Sequence, residues 1–434
     1  MSADPTTDPA LGSWIPVPVD SDFPIQNLPF GVFRHDGGPP RAGVGIGNRV
    51  LDLDVVAEAG LFSDHVPLPW GIFANPTLNP YLALGPDVWR AVRRRVSDLL
   101  SFDNREIRDV WGLAERALVP MPDAEMLLPV HVGDYVDFYS SLEHATNLGK
   151  MFRPDAEPLL PNWRWLPVGY HGRASSVFVS GTPVTRPAGQ IKVGEGEPQF
   201  GFTRAMDFEL EVGFITGPGN PPGTAIGVDR AEDHIFGLVL VNDWSARDVQ
   251  RWEYQPLGPF LGKSFATSIS PWIVPLDAIA PYRVPAPVQD PAPLPYLHNE
   301  GRQGVDLYLE VAIQTGDMAE RGDDPYVVGR TNFRDMYWTM DQQLAHATAN
   351  GTNVRPGDLY ASGTVSGEAP DSYGSMIELA WRGTQPVGFP DGSNRVYLEN
   401  GDTVVMRGWC GGGGLPRIGF GEVSGTVVGP PQAT

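Results

Sequence analysis

The residues of this chain best suited to chemistry are carboxylates set at close, regular spacing. Asp207, Glu209 and Glu211 alternate with Phe208, Leu210 and Val212. In an extended strand, Glu209 and Glu211 share one face with α-carbons roughly 6 to 7 Å apart. A lone Glu-x-Glu is usually the solvated face of a strand, but two like charges on one face repel, and a hard divalent cation relieves them. Asp243 supplies a further oxygen where the unbroken apolar run from Ile235 to Val241 ends. Such a run reads as a strand buried on both sides. In a helix leading off it, Arg247, Gln250 and Tyr254 follow Asp243 at offsets of four, seven and eleven and form one stripe.

A second stretch holds Asp134, Asp137, Tyr139, Ser141, His144 and Arg153 within twenty residues. A helix beginning near Asp137 places Asp137, Ser141 and His144 on one face, joining a carboxylate to an imidazole. The plainer alternative is an N-cap followed by a structural histidine. Gly169-Tyr170-His171-Gly172-Arg173 reads equally well as a binding loop and as a packed aromatic loop. Gly262-Lys263-Ser264 lacks the earlier glycine of a phosphate-binding loop, and Pro259 interrupts it, which excludes a nucleotide site. His346, near the end of a helix expected over 332–350, reads as a structural residue whose protonated ring suits the helix dipole. Glu378 on its own reads as an exposed strand residue.

The elements that must position these groups are short and mostly β. The chain has 434 residues, enough for two domains or one large elaborated β domain. Its 44 Pro and 51 Gly show no period, the pattern of many short strands and turns. Residues 1–125 read as a small module of Gly- and Pro-broken strands. A helix opens at Pro86, and Arg93, Arg94 and Arg95 read as that helix's solvated flank. Pro120-Met121-Pro122 reads as the linker to a larger domain, 126–434. The Pro-rich segment from Val284 to Leu297 reads as a surface arm.

A formal charge of −21 argues against nucleic-acid and anionic membrane partners, and it requires a local cationic pocket for any anionic substrate. The single cysteine, Cys410, permits no intrachain disulfide. The N-terminus lacks a signal-peptide pattern and no apolar run approaches a membrane span, so a cytoplasmic protein is expected.

Taken in order, several blocks carry a resemblance: Asp137-Phe138-Tyr139-Ser140-Ser141 with His144, Gly169-Tyr170-His171-Gly172-Arg173, Glu209-Leu210-Glu211, Asn242-Asp243-Trp244-Ser245-Ala246-Arg247, and Pro256 through Phe265. With these the chain resembles the fumarylacetoacetate hydrolase family. The likeness begins at Asp20 through Phe33 and continues past Ala361-Ser362-Gly363-Thr364. The Glu-x-Glu and Asn-Asp signals are shared across the superfamily, including acylpyruvate hydrolases and oxaloacetate decarboxylases. The first-module and His144 blocks are narrower and favour the fumarylacetoacetase branch.

The resemblance implies a mainly β, β-rich α+β fold, with an N-terminal SH3-like barrel and a C-terminal fumarylacetoacetase-type mixed β-sandwich roll, assembled as a homodimer. The implied activity is metal-dependent cleavage of the C–C bond of 4-fumarylacetoacetate, the last step of tyrosine and phenylalanine (homogentisate) catabolism. It makes Asp137, Glu209, Glu211 and Asp243 the ligands of Ca²⁺ (or Mg²⁺), and places a second Mg²⁺ near Asp243, Lys263 and Thr267. His144 falls on the general base with Glu378 as its partner, and Arg247, Gln250 and Lys263 on the oxyanion-stabilising set. Tyr139, Arg153, Gln250, Tyr254 and Thr364 match contacts to a small dicarboxylate substrate. Four carboxylates against one divalent ion, Arg247 and Lys263 leave such a centre near neutral. The rival from another class is a calcium-stabilised β-rich binding module with no catalysis.

Overall fold

The computed structural model describes residues 4–63, 65–301 and 303–430. Its centre is a mixed sheet running Gly169–Gly172, Tyr135–Phe138, Leu359–Ala361, Leu210–Thr216, Ile235–Asp243, Thr267–Ile269 and Val177–Val179, with Val274–Pro275 pairing onto Ile235–Asp243 as an eighth strand. Leu210–Thr216 and Ile235–Asp243 are buried at every position. The reason is that both faces of the sheet are covered. Leu210, Val212 and Phe214 pack toward a second sheet that includes the long hairpin of Thr403–Gly412 and Leu415–Val428. Gly412, Gly413 and Gly414 turn that hairpin with φ of 106, 62 and 86°, values that L side chains rarely adopt.

Ile215, Val239 and Val241, on the opposite face, pack against the N-terminal module. Glu209 and Glu211 share this parity, so the expected solvated face is instead buried. The module is an antiparallel five-stranded SH3-like barrel sheet, ordered Leu118–Pro120, Arg49–Asp52, Arg41–Ile46, Phe30–Arg34 and Glu125–Leu127. Phe30, Tyr81 and Trp89 close on Phe236 of the central sheet with ring centroids 5.1 to 5.8 Å away. Phe30 and Ile273 also exchange two backbone hydrogen bonds, at 2.9 and 2.7 Å.

Two expectations about helices change here. The helix Pro86–Leu100 forms as expected, but Arg93 and Arg95 are buried. Arg93 donates to Thr6 Oγ1, Asn27 O and Gln26 O at 2.9, 2.6 and 2.6 Å, so it ties the barrel to its N-terminal segment. The helix expected over 332–350 is only Met340–Thr348, because a strand runs to Asn332 and a Thr339/Gln342 capping box sets the start. His346 is not the protonated dipole partner expected. Burial pushes its pKa down, and Nδ1 meets the Tyr296 hydroxyl at 3.0 Å.

Asp341 on that helix is 1% exposed, and neither carboxyl oxygen has a hydrogen-bond partner. Burial pushes its pKa up to about 7, against partial relief from Arg283. Below pH 4 the group is protonated in both folded and unfolded chains. Between pH 4 and 7 only the unfolded chain releases the proton, so stability is lost as pH rises through this window. Asp341→Asn is therefore expected to melt a few degrees above wild type at pH 8, with the gap closing toward pH 4 in paired thermal scans.

Candidate active site

Sheet register assembles the acidic centre. Leu210 pairs with Asn242, which brings Glu209 beside Asp243, while Asp243 pairs with Thr267 on its other side. Asp137 enters through the parallel pairing of Tyr135–Phe138 with Leu359–Ala361. Asp137, Glu209, Glu211 and Asp243 each offer an oxygen within 4.8 Å of the others, and all four are buried. Both Glu211 oxygens and Asp137 Oδ1 lack hydrogen-bond partners. Burial first, and then the neighbouring carboxylates, hold the pKa values of Asp137 and Glu211 well above the usual range. Orphaned hard oxygens with mutual repulsion are what a divalent cation would satisfy, so these four residues can hold a metal ion.

The cationic side is ordered by the same carboxylates. Lys263 Nζ donates to Glu209 Oε2 and, at 2.7 Å, to Asp243 Oδ2. Burial alone would discharge this lysine, but Asp243 and Glu209 outweigh it and keep its pKa above the ordinary value. Arg247 opens the helix Arg247–Glu253 and places Nη2 2.7 Å from Glu209 Oε1. Its Nη1 donates to Gln250 Oε1 at 3.2 Å. Burial of Glu209 is overcome by Lys263 and Arg247, which hold its carboxyl well below the usual range. Asp243 ends the strand and does not sit on the helix, so the expected stripe contains only Arg247, Gln250 and Tyr254.

The histidine is presented differently from the one-faced helix expected at Asp137. Asp137 lies in a strand, and the helix is Leu142–Phe152 with Ser141 as its N-cap, whose Oγ accepts from the His144 N–H at 3.1 Å. Buried His144 meets Glu378 Oε2 through Nδ1 at 2.6 Å. An ionised carboxylate only accepts, so Nδ1 carries the proton and Nε2 is the basic nitrogen. Glu378 is a fully buried residue of the turn Met376–Leu379, not the exposed strand residue expected. It also accepts from Asn147 Nδ2, Ser366 Oγ and Ser375 Oγ at 3.0, 2.9 and 2.7 Å. Burial works against its ionisation, but His144 and these donors outweigh it and lower its pKa.

These arms meet on one cleft of about 640 Å³. Asp137, Tyr139, His144, Arg153, Glu209, Arg247, Gln250, Tyr254, Lys263 and Thr364 line it. Glu211, Asp243, Thr267 and Glu378 lie behind that wall. Arg153 Nη2 donates to Pro158 O at 2.6 Å, while Thr267 Oγ1 donates to Asp243 Oδ1 at 3.0 Å. Asp134 stays outside the site, paired with Arg355 at 2.6 Å.

Two participants carried no assignment from the sequence. Tyr170 sits opposite Asp137 in the strand pairing and donates to Asp243 Oδ2 at 2.7 Å. The Gly169–Gly172 block contained the signal, and strand alternation sends Tyr170 inward and His171 outward. Asp207 is buried and accepts from Arg247 Nε at 2.7 Å. It adds a fifth carboxylate, so the centre with one divalent ion retains about one negative charge instead of the neutrality expected.

Residues 26–129 match the family described as Fumarylacetoacetase N-terminal, and residues 135–428 match Fumarylacetoacetate (FAA) hydrolase C-terminal. The chain is 51% identical over 419 residues to the fumarylacetoacetase of Rattus norvegicus, covering 96% of this chain and 98% of that one. It is 48% identical over 423 residues to the fumarylacetoacetase of Arabidopsis thaliana, covering 97% and 99%. The fold is also that of a solved fumarylacetoacetate hydrolase from psychrophilic Exiguobacterium antarcticum, with a TM-score of 0.51 at 16% identity over 93% of this chain and all of the other. Two family domains in sequence and near-half identity over almost the whole length place this chain in the fumarylacetoacetate hydrolase family.

Proposed function

We propose that this chain hydrolyses the C–C bond of 4-fumarylacetoacetate to fumarate and acetoacetate in a metal-dependent reaction. The observation that carries this reading is the meeting of the His144–Glu378 pair with a buried four-carboxylate cluster on one cleft. Cleavage between two carbonyls needs an activated water at one carbonyl and a stabilised carbanion leaving toward the other.

His144 Nε2 takes the proton from water, and Glu378 fixes the tautomer and offsets the positive charge that forms on the ring. Arg247, Gln250 and Lys263 stabilise the tetrahedral oxyanion, at a typical few kcal/mol per donor. As that intermediate collapses, the C–C bond breaks, the electron pair leaves on the acetoacetate carbon, and Lys263 supplies the proton there. Arg153 meets a substrate carboxylate by a charge-assisted bond, while Tyr139, Tyr254 and Thr364 position the chain of the substrate.

Asp137, Glu209, Glu211 and Asp243 would hold the resident ion, for which we propose Ca²⁺, with Mg²⁺ as the alternative. Bound there, a hard divalent ion supplies Lewis acidity to the dioxo oxygens. We also propose a second Mg²⁺ near Asp243, Lys263 and Thr267. The protonated Lys263 Nζ has no lone pair to offer such an ion, whereas the Asp243 carboxylate keeps lone pairs beyond the hydrogen bonds it accepts.

Residues 1–125 serve in this reading as a buttress behind the central sheet and 126–434 as the catalytic domain, although the strand Glu125–Leu127 runs across that boundary. No described helix is long and apolar enough to cross a membrane. A cytoplasmic homodimer acting late in tyrosine and phenylalanine breakdown fits the family, and exposed Phe200 and Phe202 offer apolar surface for such pairing.

The test is the loss of diketone absorbance with fumarylacetoacetate and, in parallel, with acylpyruvates. Fumarylacetoacetate is expected to turn over at least tenfold faster in kcat/KM, and a chelator is expected to abolish the reaction. Preference for acylpyruvates would move the chain to that branch. A chelator that lowers only the melting temperature of a protein with no turnover would favour the binding module.

A further inference from the structure

Asp207 does not line the cleft, yet it touches two of the arms that do the chemistry. It ends the short strand Met206–Asp207, which pairs with Ser245–Ala246 immediately before Arg247. Its side chain is fully buried, and its hydrogen-bond partners are all donors. Oδ1 accepts from the N–H of Phe208 at 2.8 Å and of Met376 at 2.7 Å. Oδ2 accepts from Arg247 Nε at 2.7 Å and from the N–H of Ile377 at 3.1 Å. Met376 and Ile377 open the turn that carries Glu378, where first-turn amides have no acceptor of their own.

One carboxylate thus ties down the guanidinium on the oxyanion side and the Glu378 turn on the water-activating side. A guanidinium is planar, so gripping Nε fixes where the remaining nitrogens point. Here they point at Glu209 and Gln250. Arg247 and Glu378 lie on separate elements, and the Asp207 carboxylate hydrogen-bonds directly both to the guanidinium and to the backbone of the turn that carries Glu378.

We infer that Asp207 is a positioning residue for the hydrolysis, setting the oxyanion-binding arm and the His144–Glu378 arm in fixed relation. The inference rests on the hydrolase reading above. An amide at position 207 has one acceptor oxygen for four donors and turns its own NH₂ against at least one of them. Both arms then lose a shared anchor, and displacements on the order of 1 Å at reacting groups cost about 100-fold in rate.

Asp207→Asn is expected to lower kcat about 100-fold while KM stays within about threefold and bound metal per chain is unchanged. A folded, metal-loaded variant with wild-type kcat, or one altered only in KM, overturns the inference. A second measurement needs neither the Asp207 variant nor substrate. Arg247→Lys cannot hold Asp207 through Nε and reach Glu209 at once, so hydrogen exchange in the peptide containing Met376 and Ile377 is expected to speed up at least tenfold. Unchanged exchange there overturns the coupling even if Asp207→Asn does not fold. Because this readout is independent of turnover, failure of the hydrolase reading would appear separately, as an inactive wild type.

Discussion

His144→Ala is expected to lose turnover by about 10³-fold, within the 10²- to 10⁴-fold range of a general base, while the metal site stays filled. The histidine comes from the helix Leu142–Phe152 and is no member of the four-carboxylate cluster, so its removal spares the ligands. Glu378 would not be stranded, since Asn147, Ser366 and Ser375 still donate to it. The protein should therefore fold, with a loss of about 1 to 3 kcal/mol for the vacated, once hydrogen-bonded position. Glu378→Gln should also be slow, because an amide can turn either face to Nδ1 and no longer enforces the productive tautomer. Steady-state kinetics with metal analysis of the same sample checks both. Substantial hydrolysis by a metal-loaded His144→Ala would remove His144 from the base role.

Glu211→Gln should have an equally large effect through a different route. Both Glu211 oxygens are buried without hydrogen-bond partners, and burial with three nearby carboxylates raises its pKa. In wild type a bound divalent ion converts this repulsion into attraction, and at 100 times Kd it adds about 2.7 kcal/mol of stability. Removing one charged ligand should weaken metal affinity at least tenfold, as tightly placed ligand changes do, and turnover should fall with it.

The sign of the stability change then depends on the ion. With chelator present, Glu211→Gln has one fewer buried like charge and should melt above wild type. With calcium present, wild type should gain melting temperature that the variant does not. Paired thermal scans with calcium and with chelator separate the two, and equal calcium-induced shifts in both proteins would remove Glu211 from the ligand set.

The sequence by itself determined much of the chemistry, because the chemistry is local in residue type. The Glu209/Glu211 spacing, the apolar run ending in Asp243 and the blocks around Asp137 and Lys263 carried the family, the two-part fold and the acidic centre. Side-chain alternation in a strand needs no tertiary information, and that is why Glu209 and Glu211 were assigned to one face correctly. Which medium that face meets does need it. Only the folded chain buries the nominally solvated pair, leaving the Glu211 oxygens orphaned and setting Glu209 against Lys263 and Arg247.

Capping and register drew the remaining distinctions. The offsets of Asp137, Ser141 and His144 suggested a helix at Asp137, and apolar spacing one over 332–350, but Ser141 and Thr339 delay them, and the intervening residues pair or turn instead. Spacing could not find Asp207, and it was the family resemblance alone that paired Glu378 with His144. Glu378 lies 234 residues from His144, and Asp207 lies 169 from Met376, so no periodicity links them. Only the folded chain places a carboxylate against an imidazole, or one aspartate beneath two arms. Those contacts depend on strand pairings between distant segments, which residue spacing cannot encode.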